Sequence, residues 1–139
     1  MKHIFVDTSG WGNLVDTLQV FHQETRTIYE AAKQEGSRFV TTNYVIAELV
    51  ALLSSPLRVP RSKSIGYIES IKSSSLVEII HIDEYLDTKA WELLTNRTDK
   101  NWSLVDCSSF VVMREHKIVE SLTTDHHFEQ AGFVRLLKP

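Results

Sequence analysis

Four acidic residues of this chain, Asp7, Glu48, Asp106 and Asp125, stand at the ends of apolar runs or inside them. Carboxylates are scarce in such places, because taking a bare charge out of water is costly. Asp7 closes the strand-like segment His3-Ile4-Phe5-Val6, and Asp125 closes Val119-Glu120-Ser121-Leu122-Thr123-Thr124. If both segments belong to one parallel sheet, their C-terminal ends share an edge, and open α/β folds bind ligands at that edge. Acids gathered there repel one another unless a cation holds them together. The pattern asks for a divalent metal.

Each acid also has a plainer role open to it. Asp7 is a candidate cap for the helix after the first strand, although Ser9 suits that work equally well. Glu48 lies at the margin of an apolar helical stripe, where a glutamate ordinarily reaches out to water. Thr41 and Thr42 place that helix directly after a short strand, so its first turns fall near the same edge as Asp7. Asp106 is third after Ser103, an acidic relative of the capping box. The helix it opens is apolar almost all round, through Leu104, Val105, Cys107, Phe110, Val111, Val112 and Met113, and a buried acid needs a partner. Ser109, one turn on, faces the same way. Asp125 sits at a strand-to-helix junction, where capping is the alternative. The joint occurrence of the four at one expected edge favours the functional reading.

The elements that would position them alternate along the chain. Strands are expected over about residues 2–7, 38–41, 76–82, 119–124 and 133–137. Helices are expected over 11–22, onward through about 35 to a stop at Gly36, from Asn43 to about Ser54, and over Ser62–Ser74. Two more are expected from Asp83 to about Thr98 and from the Ser103 cap to about His116. Alternation of this kind implies a parallel sheet with helices on both faces.

With 139 residues and no internal linker, repeat or low-complexity tract, one domain over 1–139 is the natural reading. A chain of this size buries about 68–70% of its unfolded surface without help from cross-links. The single cysteine, Cys107, rules out an internal disulfide framework and a thiolate zinc cluster. The first residues carry too short an apolar run for a signal peptide, and no apolar stretch is long enough to span a bilayer, so a cytoplasmic protein without membrane contact is expected. Net charge is −3, from 15 basic and 18 acidic residues. Setting the four acids aside leaves 15 basic against 14 acidic, so charge neither demands nor forbids a nucleic-acid substrate.

The motifs around the four acids resemble those of the PIN domain family, the nuclease fold of many bacterial toxins and RNA-processing factors, here of the VapC-like type. The matching pieces are Phe5-Val6-Asp7-Thr8-Ser9, Thr41-Thr42-x-x-Val45-x-x-Glu48, Ser103-Leu104-Val105-Asp106-Cys107-x-Ser109 and Leu122-Thr123-Thr124-Asp125-x-x-Phe128. Each is weak singly; four in the family's order are specific. The resemblance implies a three-layer α/β/α fold with a mainly parallel sheet. It further implies that Asp7, Glu48, Asp106 and Asp125 are catalytic acids holding Mg²⁺ or Mn²⁺, with Thr8, Ser109 and Thr124 orienting substrate. The implied activity is a ribonuclease that cleaves phosphodiesters with metal-activated water, the toxin of a toxin–antitoxin pair. The implied partners are RNA, an antitoxin protein and a second copy of the chain in a homodimer. Hard oxygen ligands suit those two ions.

Other residues near these motifs are weaker candidates. His126 and His127 adjoin Asp125 but, as sequence neighbours, read mainly as surface residues. Arg58, Arg61 and Lys63 could follow an RNA backbone, and Trp102 could stack a base, though loop and packing roles serve equally. Two competing functions keep an α/β fold. A phosphoacceptor receiver would use Asp83 after the third strand, and a non-catalytic PIN-fold module would bind RNA or a partner without cleaving anything.

Overall fold

In the computed structural model, which describes residues 1–138, five strands form one parallel sheet flanked by seven helices. The strands are β1 (His3–Val6), β2 (Arg38–Thr42), β3 (Val77–Ile80), β4 (Glu120–Leu122) and β5 (Val134–Arg135), in the order β3-β2-β1-β4-β5. The helices are α1 (Thr8–Val15), α2 (His22–Gln34), α3 (Asn43–Ser54), α4 (Arg61–Ser73), α5 (Glu84–Asn96), α6 (Leu104–Glu115) and α7 (His127–Gln130). The expected three-layer α/β/α architecture is the one observed.

The central strand explains the layering. Alternate residues of a strand point to opposite faces, and Ile4, Phe5 and Val6 are all buried, so both faces of β1 must be covered. Phe39, in register with Ile4, stacks on Tyr29 of α2 at 4.0 Å, and Tyr29 meets Trp11 of α1 edge-on. On the other face Phe5 packs on Phe128 of α7, which meets Phe110 of α6, which in turn meets Trp102. Two aromatic stacks thus clamp the sheet.

The chain winds outward from β1 through β2 to β3, then returns to lay β4 and β5 on the opposite side. The reversal lies between β1 and β4, the switch point at which such sheets leave a crevice above their carboxyl ends. Asp7 and Asp125 follow those two strands. The order also separates this fold from a receiver, in which the third strand neighbours the first. Here β2 intervenes, and Asp83 simply caps α5 by accepting the Leu86 N–H at 2.9 Å.

The first helix departs from expectation. It begins at Thr8 and stops at Val15, whereas apolar periodicity suggested 11–22. Asp16 ends it by accepting the Leu18 N–H (3.1 Å) and the Gln19 side-chain amide (2.9 Å), offering the backbone a turn in place of a further helical bond. Leu18 and Val20 are left 90% and 92% exposed. Helices α2 to α6 match their expected spans within a residue or two, and α7 had no expected span. Helix α2 ends before Gly36, whose φ of +84° is the left-handed C-terminal stop. None of the described helices is long and apolar enough to cross a membrane.

Candidate active site

At the end of β1 the backbone turns directly into α1, and Asp7 is the helix N-cap. Its Oδ1 accepts the Gly10 N–H at 3.0 Å and the Ser9 hydroxyl at 2.8 Å, while Oδ2 accepts the Thr123 hydroxyl at 2.9 Å. Thr123 Oγ1 in turn accepts the Asp125 N–H at 2.9 Å, and Ser9 Oγ accepts the Thr124 N–H at 3.0 Å. The turns after β1 and β4 are therefore laced together through side chains. Because α1 starts at Thr8, the cap falls to Asp7 and leaves Ser9 as one of its donors.

Burial pushes the Asp7 carboxyl up to about 7 from an ordinary 3.8; its three hydrogen bonds oppose the rise and the nearby Asp125 adds to it. The folded, metal-free protein then keeps a proton that the unfolded chain releases near pH 4. Stability contributed by that proton is full below about pH 4 and is lost as pH climbs through about 7, on the order of 4 kcal/mol. Asp106 is shifted upward as well, again chiefly by burial. Urea unfolding in the presence of a chelator is expected to give a lower midpoint at pH 8 than at pH 5. A midpoint that rises over that interval would contradict the burial account.

The remaining acids approach from three other elements. Glu48, exposed on α3, accepts a hydrogen bond from the Thr8 hydroxyl through Oε1. Asp106, half-buried on α6, completes a reciprocal capping box: its N–H donates to Ser103 Oγ (3.0 Å), and its Oδ2 accepts the Ser103 N–H (3.1 Å). That same Oδ2 lies 3.0 Å from His127 Nδ1. Asp125 accepts the His127 N–H at 2.9 Å through Oδ1, which is also 3.3 Å from His127 Nδ1. The charge of Asp125 raises both Asp7 and Asp106, so the acids crowd one another electrostatically.

The donors are divided in a way that suits a hard divalent ion. Among the described residues, Asp106 Oδ1, Asp125 Oδ2 and Glu48 Oε2 accept no hydrogen bond, and Asp7 Oδ2 accepts one. A carboxylate oxygen has two lone pairs, so each acid is steered by the protein yet retains capacity for a ligand. Ser109, 1% exposed, has a hydroxyl without a partner. Oxygen donors in this number match Mg²⁺ or Mn²⁺. Among the described residues, the grouping of three or more possible ligand residues whose atoms lie within 4.8 Å of one another is Asp125 with His126 and His127, not the four acids together. Nδ1 of His127 is engaged by Asp106.

Of the residues expected to orient substrate, Thr8 sits on Glu48 and Ser109 keeps a free hydroxyl one turn from Asp106. Thr124 enters through its backbone: its carbonyl accepts a bond from Arg135 Nη1 at 2.9 Å. Trp102 is buried, donates to Gln130 at 3.0 Å and lies beneath the Arg97 guanidinium, which makes it a packing residue and not a stacking platform. Cys107 is buried with its thiol pushed up to about 11 by desolvation, the opposite of an activated nucleophile. Sequence reasoning missed Thr123, Arg135 and the role of His127. Thr123 carried no signal beyond its place in Thr-Thr-Asp, and Arg135 none at all.

Comparison with known proteins follows the same lines. Residues 4–134 match the PIN domain family. The chain is 30% identical over 133 residues to the 23S rRNA-specific endonuclease VapC20 of Mycobacterium tuberculosis, covering 96% of this chain and 97% of that protein. The crystal structure of VapC20, described as a sarcin–ricin loop cleaving toxin, superposes with a TM-score of 0.86 at 29% identity, covering 98% and 99% of the two chains. PAE2754 from Pyrobaculum aerophilum shares the fold at a TM-score of 0.66 and 16% identity, covering 98% of this chain and 84% of its own. A match that runs from the first strand to the last, at this identity and with the folds superposed, makes the chain a member of the PIN domain family.

Proposed function

We propose that this chain is a divalent-metal-dependent endoribonuclease in which Asp7, Glu48, Asp106 and Asp125 hold Mg²⁺ or Mn²⁺. The observation that carries the reading is the set of acids around the switch point. Glu48, Asp106 and Asp125 are each held through one oxygen with the other unbonded, and Asp7 is held through both with a lone pair to spare on Oδ2. The bound metal supplies an acidified water and charge neutralisation at the scissile phosphodiester. The protein supplies position. Asp7 anchors the site just after β1, the Thr8 hydroxyl bonds Glu48, and Ser103 fixes Asp106 at the start of α6. Ser109, buried with an unpartnered hydroxyl one turn from Asp106, and Thr124, in the turn after β4, are the proposed substrate-orienting residues.

The relation to VapC20 along the whole chain makes an exposed loop of 23S rRNA the first substrate to test. We further propose that the protein is a cytoplasmic toxin with a cognate antitoxin and that it forms a homodimer, the last checked by light scattering. Incubation with ribosomes and with a transcript pool, with Mg²⁺, Mn²⁺ or chelator, followed by sequencing of the new ends, is expected to give discrete metal-dependent cuts. Asp106→Asn should abolish them while the fold persists. Asp83→Asn should cut like wild type, since Asn caps a helix as well as Asp. RNA binding without cleavage under every metal condition would overturn the enzyme and leave a binding module. Full activity in Asp106→Asn would remove that acid from the site.

A further inference from the structure

The four acids come from separate elements, and one side chain spans two of them. His127 opens α7 with a half-buried ring, 20% exposed, whose Nδ1 is 3.0 Å from Asp106 Oδ2 and 3.3 Å from Asp125 Oδ1. Asp106 Oδ2 also accepts the Ser103 N–H, and an ionised carboxylate, the form a metal ligand takes, can only accept, which assigns the hydrogen to Nδ1. The ring therefore donates from α7 to α6 and holds the two carboxylates at a set spacing. It does so on oxygens other than those free for a ligand, Asp106 Oδ1 and Asp125 Oδ2.

We propose that His127 is a positioning residue of the site, whose Nδ1–H fixes Asp106 against Asp125 and preorganises both for the divalent ion. The inference rests on the metal site argued above and deepens it. Partners that orient ligating carboxylates typically change metal affinity by about 10–100-fold when removed. His126, its neighbour, has a more exposed ring, 3.8 Å from Asp125 at its nearest, and reaches no second acid among the contacts of the described residues.

Side-chain shape gives a discriminating test. The amide nitrogen of Asn falls near the position of histidine Nδ1, whereas that of Gln falls near Nε2. The backbone N–H of residue 127, which bonds Asp125 at 2.9 Å, survives in every variant. Mn²⁺ binding is measured by calorimetry for wild type, His127→Asn, His127→Gln and His126→Gln, with thermal melts of the metal-free proteins alongside. His127→Gln is expected to weaken Mn²⁺ about 10–100-fold and to raise the metal concentration for half-maximal RNA cleavage by the same factor. His127→Asn should stay within about threefold of wild type, and His126→Gln should be unchanged. A merely structural role would lower the melting temperature of both His127 variants alike and leave Mn²⁺ affinity untouched. Equal affinities for His127→Gln and wild type, or equal losses for Asn and Gln, would overturn the inference. No Mn²⁺ binding by wild type would instead overturn the metal site itself.

Discussion

Asp7→Asn is expected to abolish RNA cleavage and at the same time to make the metal-free protein more stable. The two effects have one cause. Asp7 is buried at the switch point with an upward-shifted carboxyl, so at neutral and higher pH the fold holds a charge it would shed if it could. Asn removes the charge and fits the local bonds. Its Oδ1 still accepts from Gly10 and Ser9, and its amide can donate to Thr123 Oγ1 after that hydroxyl turns toward Ser9, 3.2 Å away. The gain should be negligible at pH 4, grow through about pH 7, and approach on the order of 4 kcal/mol at pH 8. If Asp7 holds the proposed ion, its loss should cost several kcal/mol of transition-state stabilisation, a fall on the order of 10³-fold or more. Urea unfolding of both proteins in chelator at pH 4, 6 and 8, with cleavage assays in Mg²⁺, reads both signs. A variant that is less stable at pH 8 would show that Asp7 serves the fold and not a ligand.

Gly10→Ala is expected to be the most damaging methyl that can be added at any of the five glycines. A Cβ at Gly10 would stand 2.1 Å from the Leu122 carbonyl oxygen and 2.9 Å from Val6 Cγ1. One obstacle is sheet backbone, which cannot rotate aside, so α1 must lift away from β4. Overpacking of this kind costs about 3 kcal/mol or more, a drop of roughly 10 °C in melting temperature at this size. Lifting α1 also stretches the Asp7–Thr123 bond, so cleavage should fall even where the variant remains folded. Gly66→Ala is the matched control. No atom lies within 4 Å of a Cβ there and its residue is helical, so the change should stabilise by roughly 0.5–1 kcal/mol. A Gly10→Ala protein that melts with wild type would mean the helix and sheet are not in this contact.

How far the sequence could be read is clear from particular residues. Strand ends at Asp7 and before Asp125 were legible because apolar runs stop there, and the Ser103 cap with Asp106 was legible because its spacing is local. The end of α1 was not, since Leu18 and Phe21 continue the helical period while the Asp16 side chain captures Leu18 and Gln19. His127 was illegible for a different reason. Its meaning depends on α6 lying beside α7, a tertiary contact that no local spacing encodes. Thr123 and Arg135 are the same case: one hydroxyl and one guanidinium whose partners are set only by the neighbouring strands.

The bond between Thr123 and Asp7 joins residues 116 apart in sequence, and β4 pairs with β1 across the same span. Local helices and the β1–β2 pairing can form early, but this contact must wait for a long loop to close, the slow class of folding event. During synthesis, a chain that has emerged only as far as α6 already carries Asp7, Glu48 and Asp106 yet has no β4 to seat Asp7 and no Asp125 beside it. Competence to cut would then arrive in one step, when β4 and Asp125 emerge. In refolding experiments, cleavage should recover with the slowest phase and never ahead of it.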